Sequence, residues 1–119
     1  MWEQARLTLS DSTSRLLTQM IQATGLRHRV LASNLANVET PEYQAQDVSF
    51  AVALDQATGV PRVEVGMGGD PEAVPRRDGN TVDLDGQMVK LAQNTTWHLA
   101  MLQVLANRTA MMRAAIRGS

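Results

Sequence analysis

Apolar residues recur at alternating spacings of four and three along two separate stretches of the chain. Each stretch also carries a few polar residues in phase with the apolar ones. The first series consists of Leu17, Ile21, Thr24, His28, Leu31, Leu35 and Val38. The second consists of Leu84, Met88, Leu91, Thr95, His98, Leu102 and Leu105. This spacing is typical of coiled-coil helices. We therefore predict a mainly α fold with long N- and C-terminal helices at residues 12–38 and 84–117.

Local signals place the ends of these helices. Capping residue types at 10–12 predict the first start, which leaves residues 1–11 as an N-terminal arm with Trp2, Leu7 and Leu9 as contact points. Pro41 ends the first helix, because proline lacks an amide donor and disfavours helical geometry in the residue before it. Thr81 or Asp83 is expected to cap the second helix, and Gly118 to end it.

The middle segment, residues 39–83, is predicted to be irregular and mostly loop. It contains all four prolines and five of the eight glycines, a density that excludes a helix. Alternating apolar residues from Val48 to Leu54 indicate either a short strand or an extended strip along the helices, and residues 62–65 offer a second strand. Residues 66–69 are interpreted as a mobile loop, since the Lys-Ser/Thr ending of a phosphate-binding loop is missing.

An antiparallel coiled coil is the predicted packing of the two helices. The register that pairs apolar with apolar residues sets Leu31 against Leu91 and Ile21 against Leu102. The same register pairs Thr24 with His98, so that polar residues meet each other in the middle of the helices. Such polar layers lower stability but penalise slipped registers.

Composition and charge exclude several function classes. The chain has 119 residues, 3% aromatic residues and no cysteine, which excludes disulfides and thiolate metal sites. Counted from the sequence, residues 40–83 hold three bases and eight acids, whereas residues 84–119 hold four bases and one acid. This asymmetry either orients subunits that pack together or reflects ordinary solvated surfaces. No basic cluster with interleaved aromatic residues predicts nucleic-acid binding.

No arrangement of residues predicts catalysis or a cofactor. His28 and His98 lie about one turn apart in the predicted register, but neighbouring positions offer no third metal ligand, so we interpret them as an interior polar pair. No serine, histidine and acid are spaced as a nucleophilic set. No apolar run approaches the ~20 residues that span a bilayer, and no secretory signal is recognised. We expect no enzyme activity, metal, cofactor or small-molecule substrate.

A motif at the end of the first helix resembles a known family. Residues 32–37, ASNLAN, followed by Thr40-Pro41 and Tyr43, are similar to the signature ASNxANxxTPxY of bacterial flagellar rod, hook and axial proteins. The continuation through Phe50 most resembles the FlgB family of proximal rod proteins. Residues 77–94 resemble the segment that opens the C-terminal helix in that family.

Three positions depart from the family pattern. Glu42 stands where glycine usually follows the proline, and Gln44 and Gln46 stand where basic residues are usual. The contacts that those residues make in relatives are therefore not transferred to this chain.

The resemblance implies a structural subunit of the flagellar proximal rod, which transmits torque and encloses an export channel. Its implied partners are copies of itself, other rod proteins, and the membrane-ring and export-gate components at the rod base. The implied location is the periplasm-spanning rod, reached through the flagellar type III apparatus without a cleaved signal peptide. The alternative is a soluble helical adaptor or regulator that binds a partner helix.

Several residues are predicted to form subunit contacts in this scheme. Those of the turn either matter only for folding or also form a contact surface. Trp97 lies off the apolar stripe and is either an anchor for a neighbouring subunit or a partly buried rim residue. The predicted contact residues are Asn34, Asn37, Thr40, Pro41, Tyr43, Phe50 and Trp97.

Overall fold

The computed structural model describes the backbone of residues 2–118 and the side chains of residues 12–118. Four elements follow one another along the chain: α1 (Trp2–Ala36), β1 (Gln46–Leu54), β2 (Pro61–Gly69) and α2 (Leu84–Ile116). The mainly helical class with two long helices is therefore confirmed. Within the described part of the chain, neither helix has a segment apolar enough to cross a membrane.

The start of α1 differs from the prediction. The helix begins at Trp2 rather than near residue 12, so the backbone of residues 2–11 is helical. No proline or glycine occurs before Gly25, and nothing in the sequence stops the helix from extending toward the N-terminus. The expected contact points Trp2, Leu7 and Leu9 lie outside the residues whose side chains are described. A separate role for residues 1–11 stays a prediction.

The end of α1 comes two residues before the predicted end at Val38. The Asn37 amide donates to the carbonyl oxygens of Ser33 and Asn34, each at 3.1 Å, and the Thr40 amide donates to Asn37 O at 3.0 Å. The bonds to Asn34 and Asn37 span three residues instead of the four of an α-helix, and they wind the chain into a turn before Pro41. The proline therefore acts on a chain that has already left the helix.

The middle segment is more regular than predicted. β1 and β2 form an antiparallel hairpin of two nine-residue strands, in which Phe50 lies opposite Val65 and Val52 opposite Val63. The mobile loop predicted at 66–69 is wrong, because these residues complete β2. Gly66 lies opposite Ser49, and an added Cβ there would come within 3.2 Å of Ser49 Oγ. The glycine therefore permits close strand contact rather than signalling a loop.

α2 begins at the predicted residue, Leu84, but the predicted capping hydrogen bond from Asp83 is not formed. Asp83 occupies the N-cap position without a side-chain hydrogen bond to the helix. The Thr81 hydroxyl bonds to a different segment, because its oxygen accepts the Ala45 amide at 2.7 Å. At the other end, Gly118 has φ of +71°, a left-handed conformation that suits glycine after a helix.

The two helices run antiparallel, and the hairpin packs against α1. The Thr24 hydroxyl lies 2.7 Å from His98 Nδ1, and Asn34 Nδ2 donates to Gln87 Oε1 at 2.9 Å. Positions later in α1 thus meet positions earlier in α2. Gln19 accepts the amide of Val63 in β2 at 2.8 Å. The Cα atoms extend over 64 × 33 × 15 Å, so the molecule is long and thin.

The buried residues of α2 differ from the predicted seam. They are Gln87, Asn94 and Met101, each one residue before a predicted seam position. Met88, at one of those predicted positions, is 57% exposed, and Leu84, Thr95 and Leu102 are exposed as well. The physical reason is hydrogen bonding, because Asn94 Nδ2 donates to Thr24 O at 2.8 Å and Gln87 accepts from Asn34. Coiled-coil packing of the helices stays a prediction.

The interior is as rich in polar as in apolar side chains. Among residues with described side chains, six apolar and six polar residues are buried. The apolar ones are Ala23, Leu31, Ala45, Val48, Val82 and Met101, and the polar ones are Thr24, Asn34, Asn80, Thr81, Gln87 and Asn94. Buried polar groups stabilise a fold only when they are hydrogen-bonded. The fold therefore depends on the specific partners of these side chains.

Candidate subunit interface

Asn34 joins all the segments that surround the turn. It is fully buried in α1. Its amide nitrogen donates to Gln46 O at 2.7 Å and to Gln87 Oε1 at 2.9 Å. Its oxygen accepts the Gln46 amide at 3.0 Å and the Tyr43 hydroxyl at 3.3 Å. Because two donors and two acceptor sites are used, the side-chain amide is fully satisfied.

Asn37, Thr40 and Pro41 form the surface of the turn. Asn37 Nδ2 donates to Ser33 O at 2.8 Å, and Asn37 Oδ1 accepts the Thr40 hydroxyl at 3.1 Å. Thr40 and Pro41 are exposed, and Asn37 is partly exposed. The turn is thus held by its own hydrogen bonds and presents its tip outward.

Asn80 holds the turn from the opposite side. This fully buried side chain donates through Nδ2 toward the carbonyl oxygens of Asn37 at 2.9 Å and Thr40 at 2.6 Å. Its oxygen accepts the Val82 amide at 2.7 Å. The Thr81 amide adds a bond to Tyr43 O at 3.0 Å. The segment before α2 therefore fixes the geometry of the turn after α1.

Glu42 adopts a backbone conformation that favours glycine. Its φ is +62°, and it is the only non-glycine residue with positive φ among those described. Gly79, with φ of +79°, packs against it, since a Cβ on Gly79 would lie 3.4 Å from Glu42 Cα. Gln44 Nε2 then donates to the carbonyl oxygens of Glu42 and Gly79, both at 3.1 Å. Glu42 and Gln44, two of the departures from the family pattern, therefore contact each other where the chain passes Gly79.

A charged network connects the hairpin to both helices. Arg27 in α1 donates to both carboxylate oxygens of Asp47, from Nε at 2.9 Å and from Nη2 at 3.2 Å. Lys90 in α2 donates to Asp70 Oδ2 at 2.8 Å and lies 3.6 Å from Asp47 Oδ2. Gln87 also donates to Asp70, at 3.2 Å. The network thereby continues into the hydrogen bonds of Asn34.

The carboxylates of this network are held ionised. Burial acts to raise the pKa of Asp47, but the Arg27 hydrogen bonds and the Val48 amide outweigh it, so the pKa is lowered. Burial likewise acts to raise the pKa of Asp70, and the bonds from Lys90 and the Glu72 amide reverse the effect. Charge-assisted bonds of this kind are about twice as strong as neutral ones. The network is therefore a set of structural ion pairs.

Phe50 and Trp97 border one shallow cavity between the helices and β1. The cavity has a volume of about 200 Å³, and Met20, Arg27 and Met101 complete most of its wall. Phe50 is partly buried, whereas the Trp97 side chain is 66% exposed. Trp97 is thus available to a neighbouring molecule, and its role as an anchor stays a prediction.

The prediction that His28 and His98 form an interior polar pair is wrong, because His28 is exposed. His98 is bonded to Thr24, whereas His28 is exposed on α1. Both border a groove of about 350 Å³ that runs past Gly25. In the part of the chain that the structure describes, no group of three or more His, Cys, Asp or Glu residues is arranged to hold a metal ion.

Several residues of this region were not singled out from the sequence. The sequence pattern assigns no structural role to Gln87, to Asn80 or to the network residues Arg27, Asp47 and Lys90. The available signal for Arg27 and Lys90 was their position beside the apolar stripes, which favours partial burial of a long side chain. For Asn80, its place directly after Asp78 and Gly79 indicates only a turn.

Comparison with known proteins links this arrangement to a family. No family model matches the chain. A flagellar basal body rod protein FlgB from Cereibacter sphaeroides is 32% identical over 77% of this chain and 84% of its own length. FlgB proteins from Bacillus subtilis and Salmonella typhimurium are 25% and 28% identical, over 94% and 91% of this chain and 98% and 95% of their own lengths. The chain, with its Asn-rich turn between two antiparallel helices, therefore belongs to the FlgB family of flagellar basal body rod proteins.

Proposed function

We propose that this protein is a structural subunit of the proximal flagellar rod. It packs side by side with copies of itself and with other rod proteins into a helical tube that transmits torque and encloses the export channel. One observation carries the proposal beyond family membership: α2 leaves large apolar side chains exposed on both sides of its buried stripe. Repeated contacts that do not close on themselves produce a helical assembly.

The exposed residues of α2 suit a subunit with neighbours on two sides. Trp97, Val104 and Met111 are seven residues apart and therefore share one side of the helix. Leu84, Met88, Leu99 and Leu102 are exposed on another side. Monomers rarely leave so many large apolar residues exposed along one element without a partner. Two separate apolar sides allow one molecule to contact two neighbours with different surfaces.

The internal bonds suit a part that carries mechanical load. The ion pairs from Asp47 and Asp70 and the buried amide of Asn34 connect α1, the hairpin and α2. Each connection is largely shielded from water, which strengthens its hydrogen bonds. A force applied to one element is therefore resisted by the others. The exposed tip of the turn, at Thr40 and Pro41, provides a further contact surface for neighbouring subunits.

A structural role also fits the chemistry of the buried polar groups. Asp47 and Asp70 are ionised and paired with cations, so neither is poised to exchange a proton near neutral pH. Asn34 has its donors and acceptors occupied. We therefore propose that these groups stabilise the subunit and do not act on a substrate.

The proposed location is the part of the rod that crosses the periplasm, next to the membrane-ring and export-gate components. The chain is made in the cytoplasm and travels through the flagellar type III apparatus. Its partners there are other rod proteins and further copies of itself.

Electron microscopy of purified basal bodies tests the proposal. Basal bodies from a strain that lacks this chain are expected to have rings without a rod, and the strain is expected to be non-motile. A plasmid copy should restore both the rod and motility. Complete rods in the deletion strain would contradict the proposal. Sedimentation provides a second test, since a rod subunit should self-associate as its concentration rises, whereas an adaptor should stay a discrete monomer or dimer.

A further inference from the structure

The two ends of the long axis carry opposite charge. The acidic end consists of residues 37–44 and 76–85, which the bonds of Asn80 and Thr81 hold together. It contains five acids and two bases: Glu39, Glu42, Asp78, Asp83 and Asp85, with Arg76 and Arg77. Its net charge is therefore −3 by this count.

The last turns of α2 form a basic end. No acidic residue follows Asp85 in the sequence, and residues 102–118 contain Arg108, Arg113 and Arg117. Their net charge is +3 by the same count. Residues 2–15, which begin the antiparallel helix α1, hold two acids and two bases and therefore add no net side-chain charge. Arg113 and Arg117 are both exposed.

Both ends also expose large apolar side chains. Leu84 and Met88 do so at the acidic end. At the basic end Met111 is 64% and Ile116 is 84% exposed. Each end thus combines an apolar patch with charge of one sign, which is the composition of an interface with a polar rim.

We propose that the basic end of one molecule binds the acidic end of a second copy of this chain, head to tail. The inference rests on the proposed function and specifies one contact of the rod subunit. The two ends cannot pair within one molecule, because the 33 residues of α2 separate them by about 50 Å. Pairing like ends would bring charges of the same sign together, so opposite ends of two copies are the favoured combination.

A head-to-tail contact has a defined consequence for assembly. Each molecule uses one end for each neighbour, so the contact is heterologous and repeats without closing. Ile116 and Met111 would pack against Leu84 and Met88 of the next copy, with Arg113 and Arg117 near its acids. The charges align the ends and speed association, while the apolar side chains lose contact with water.

Cysteine cross-linking tests the contact directly, because the chain has no cysteine of its own. The variants are M88C, I116C and the double variant, each checked for helical content by circular dichroism. Under mild oxidation, a mixture of M88C and I116C is expected to give a cross-linked dimer, and the double variant a ladder of multimers. Either single variant should give few dimers by itself. Equal cross-linking within one single variant would overturn the head-to-tail arrangement.

Charge reversal supplies the matched control for specificity. R113E/R117E makes both ends acidic, and E39K/D83K removes the acidic end, so each protein should self-associate about tenfold more weakly. Mixing the two should restore association, because each then meets an end of opposite charge. Unchanged association in both variants, or no recovery on mixing, would contradict the proposal.

The failure of this inference is distinguishable from failure of the proposed function. If M88C/I116C supports motility and enters basal bodies but forms no ladder there or in solution, the head-to-tail contact is wrong and the rod function stands. If cross-links join this chain only to a different rod protein, the second copy is the wrong partner. If purified protein forms the ladder but rods assemble without it, the rod function fails and the contact stands.

Discussion

Asn34 in α1 and Gln87 in α2 are hydrogen-bonded side chain to side chain at 2.9 Å, and both are buried. The hydrogen bonds continue beyond Gln87, because its side-chain nitrogen donates to Asp70. Asp70 also accepts from Lys90. One continuous set of bonds therefore runs from the turn after α1 to the charged network beneath the hairpin. The asparagine of the family motif is in this chain a structural residue at the centre of the fold.

Replacing Asn34 with alanine should destabilise the protein severely. The Asn34→Ala variant removes the partner of the side-chain oxygen of buried Gln87. It also removes the partners of the amide and carbonyl of partly buried Gln46. Each unsatisfied buried group costs about 1–3 kcal/mol, so we expect a loss of roughly 3 kcal/mol in the free energy of unfolding. Urea denaturation followed by circular dichroism measures it.

Ser33→Ala is the matched control for Asn34→Ala. Ser33 precedes Asn34 and is exposed. Among the described residues, its side chain has one hydrogen-bond approach, 3.4 Å to the Tyr43 hydroxyl. We expect a change within about 0.5 kcal/mol. Equal losses for the two variants would show that Asn34 has no special structural role.

Glu42→Gly should stabilise the protein, although most substitutions do the opposite. Glu42 has φ of +62°, which costs a non-glycine residue about 1 kcal/mol, and its side chain is exposed. Glycine relieves that cost but increases the freedom of the unfolded chain, so the expected net gain is roughly 0.5 kcal/mol. Thermal and urea unfolding measure the difference.

Glu39→Gly is the comparison for this substitution. Glu39 is an exposed acid in the same turn, and it does not have a positive φ. Glycine there should lower stability by roughly 0.5 kcal/mol, since only the unfolded state gains freedom. If both glycine variants lost stability equally, the strain at Glu42 would be refuted.

Stability should fall at acid pH through Asp47 and Asp70. Their pKa values in the folded protein lie below the ordinary value of 3.8. A lowered folded pKa contributes stability above the unfolded value, and that contribution is lost as the pH falls through the folded pKa. The free energy of unfolding should therefore decrease from about pH 5 downward.

Asp47→Asn isolates the part of this effect that comes from the Arg27 pair. The variant should be less stable than wild type at pH 7 by about 1–3 kcal/mol, because Arg27 loses its ionised partner. The gap should narrow as the pH falls and Asp47 is protonated in the wild type. Glu64→Gln, at the exposed Arg62 pair, is the control and should change stability by less than about 0.5 kcal/mol. Parallel pH profiles for wild type and D47N would exclude this mechanism.

Trp97→Ala separates assembly from folding. With 66% of the side chain exposed, its removal should cost less than about 1 kcal/mol of stability in the isolated chain. An anchor residue at an interface is worth about 2 kcal/mol or more in binding, so rod assembly and motility should be lost. Swimming in soft agar and basal-body yield are the measurements, with exposed Thr96→Ala as the control. Full motility of W97A would refute the anchor role.

The long helices and one of their contacts could be predicted from the sequence. The spacing of apolar residues gave α2 to within a residue at its C-terminal end, and Pro41 lies just beyond α1. The predicted register pairs Thr24 with His98, which are hydrogen-bonded in the structure. These successes share a cause, since periodicity and helix breakers act locally along the chain.

The buried positions of α2 and the hairpin depend on contacts that are distant in sequence. A pattern of apolar residues favours Met88 as buried, but Gln87 is buried instead because Asn34 and Asp70 provide partners for its amide. Likewise, the sequence around Gly66 indicates a loop, and only the pairing of Gly66 with Ser49 shows that it belongs to a strand. Neither partner is recognisable without knowledge of the fold.

The Cα atoms extend over only 15 Å along the shortest axis, and this thinness limits how much stability the molecule can gain by itself. A single helix with its side chains is about 10 Å across, so the slab is barely two layers deep and almost every residue lies within one side chain of solvent. A molecule this thin buries little apolar surface by itself. In the proposed rod, most of the resistance to heat should therefore come from contacts with neighbouring subunits. An isolated molecule should unfold at a much lower temperature than the assembled one.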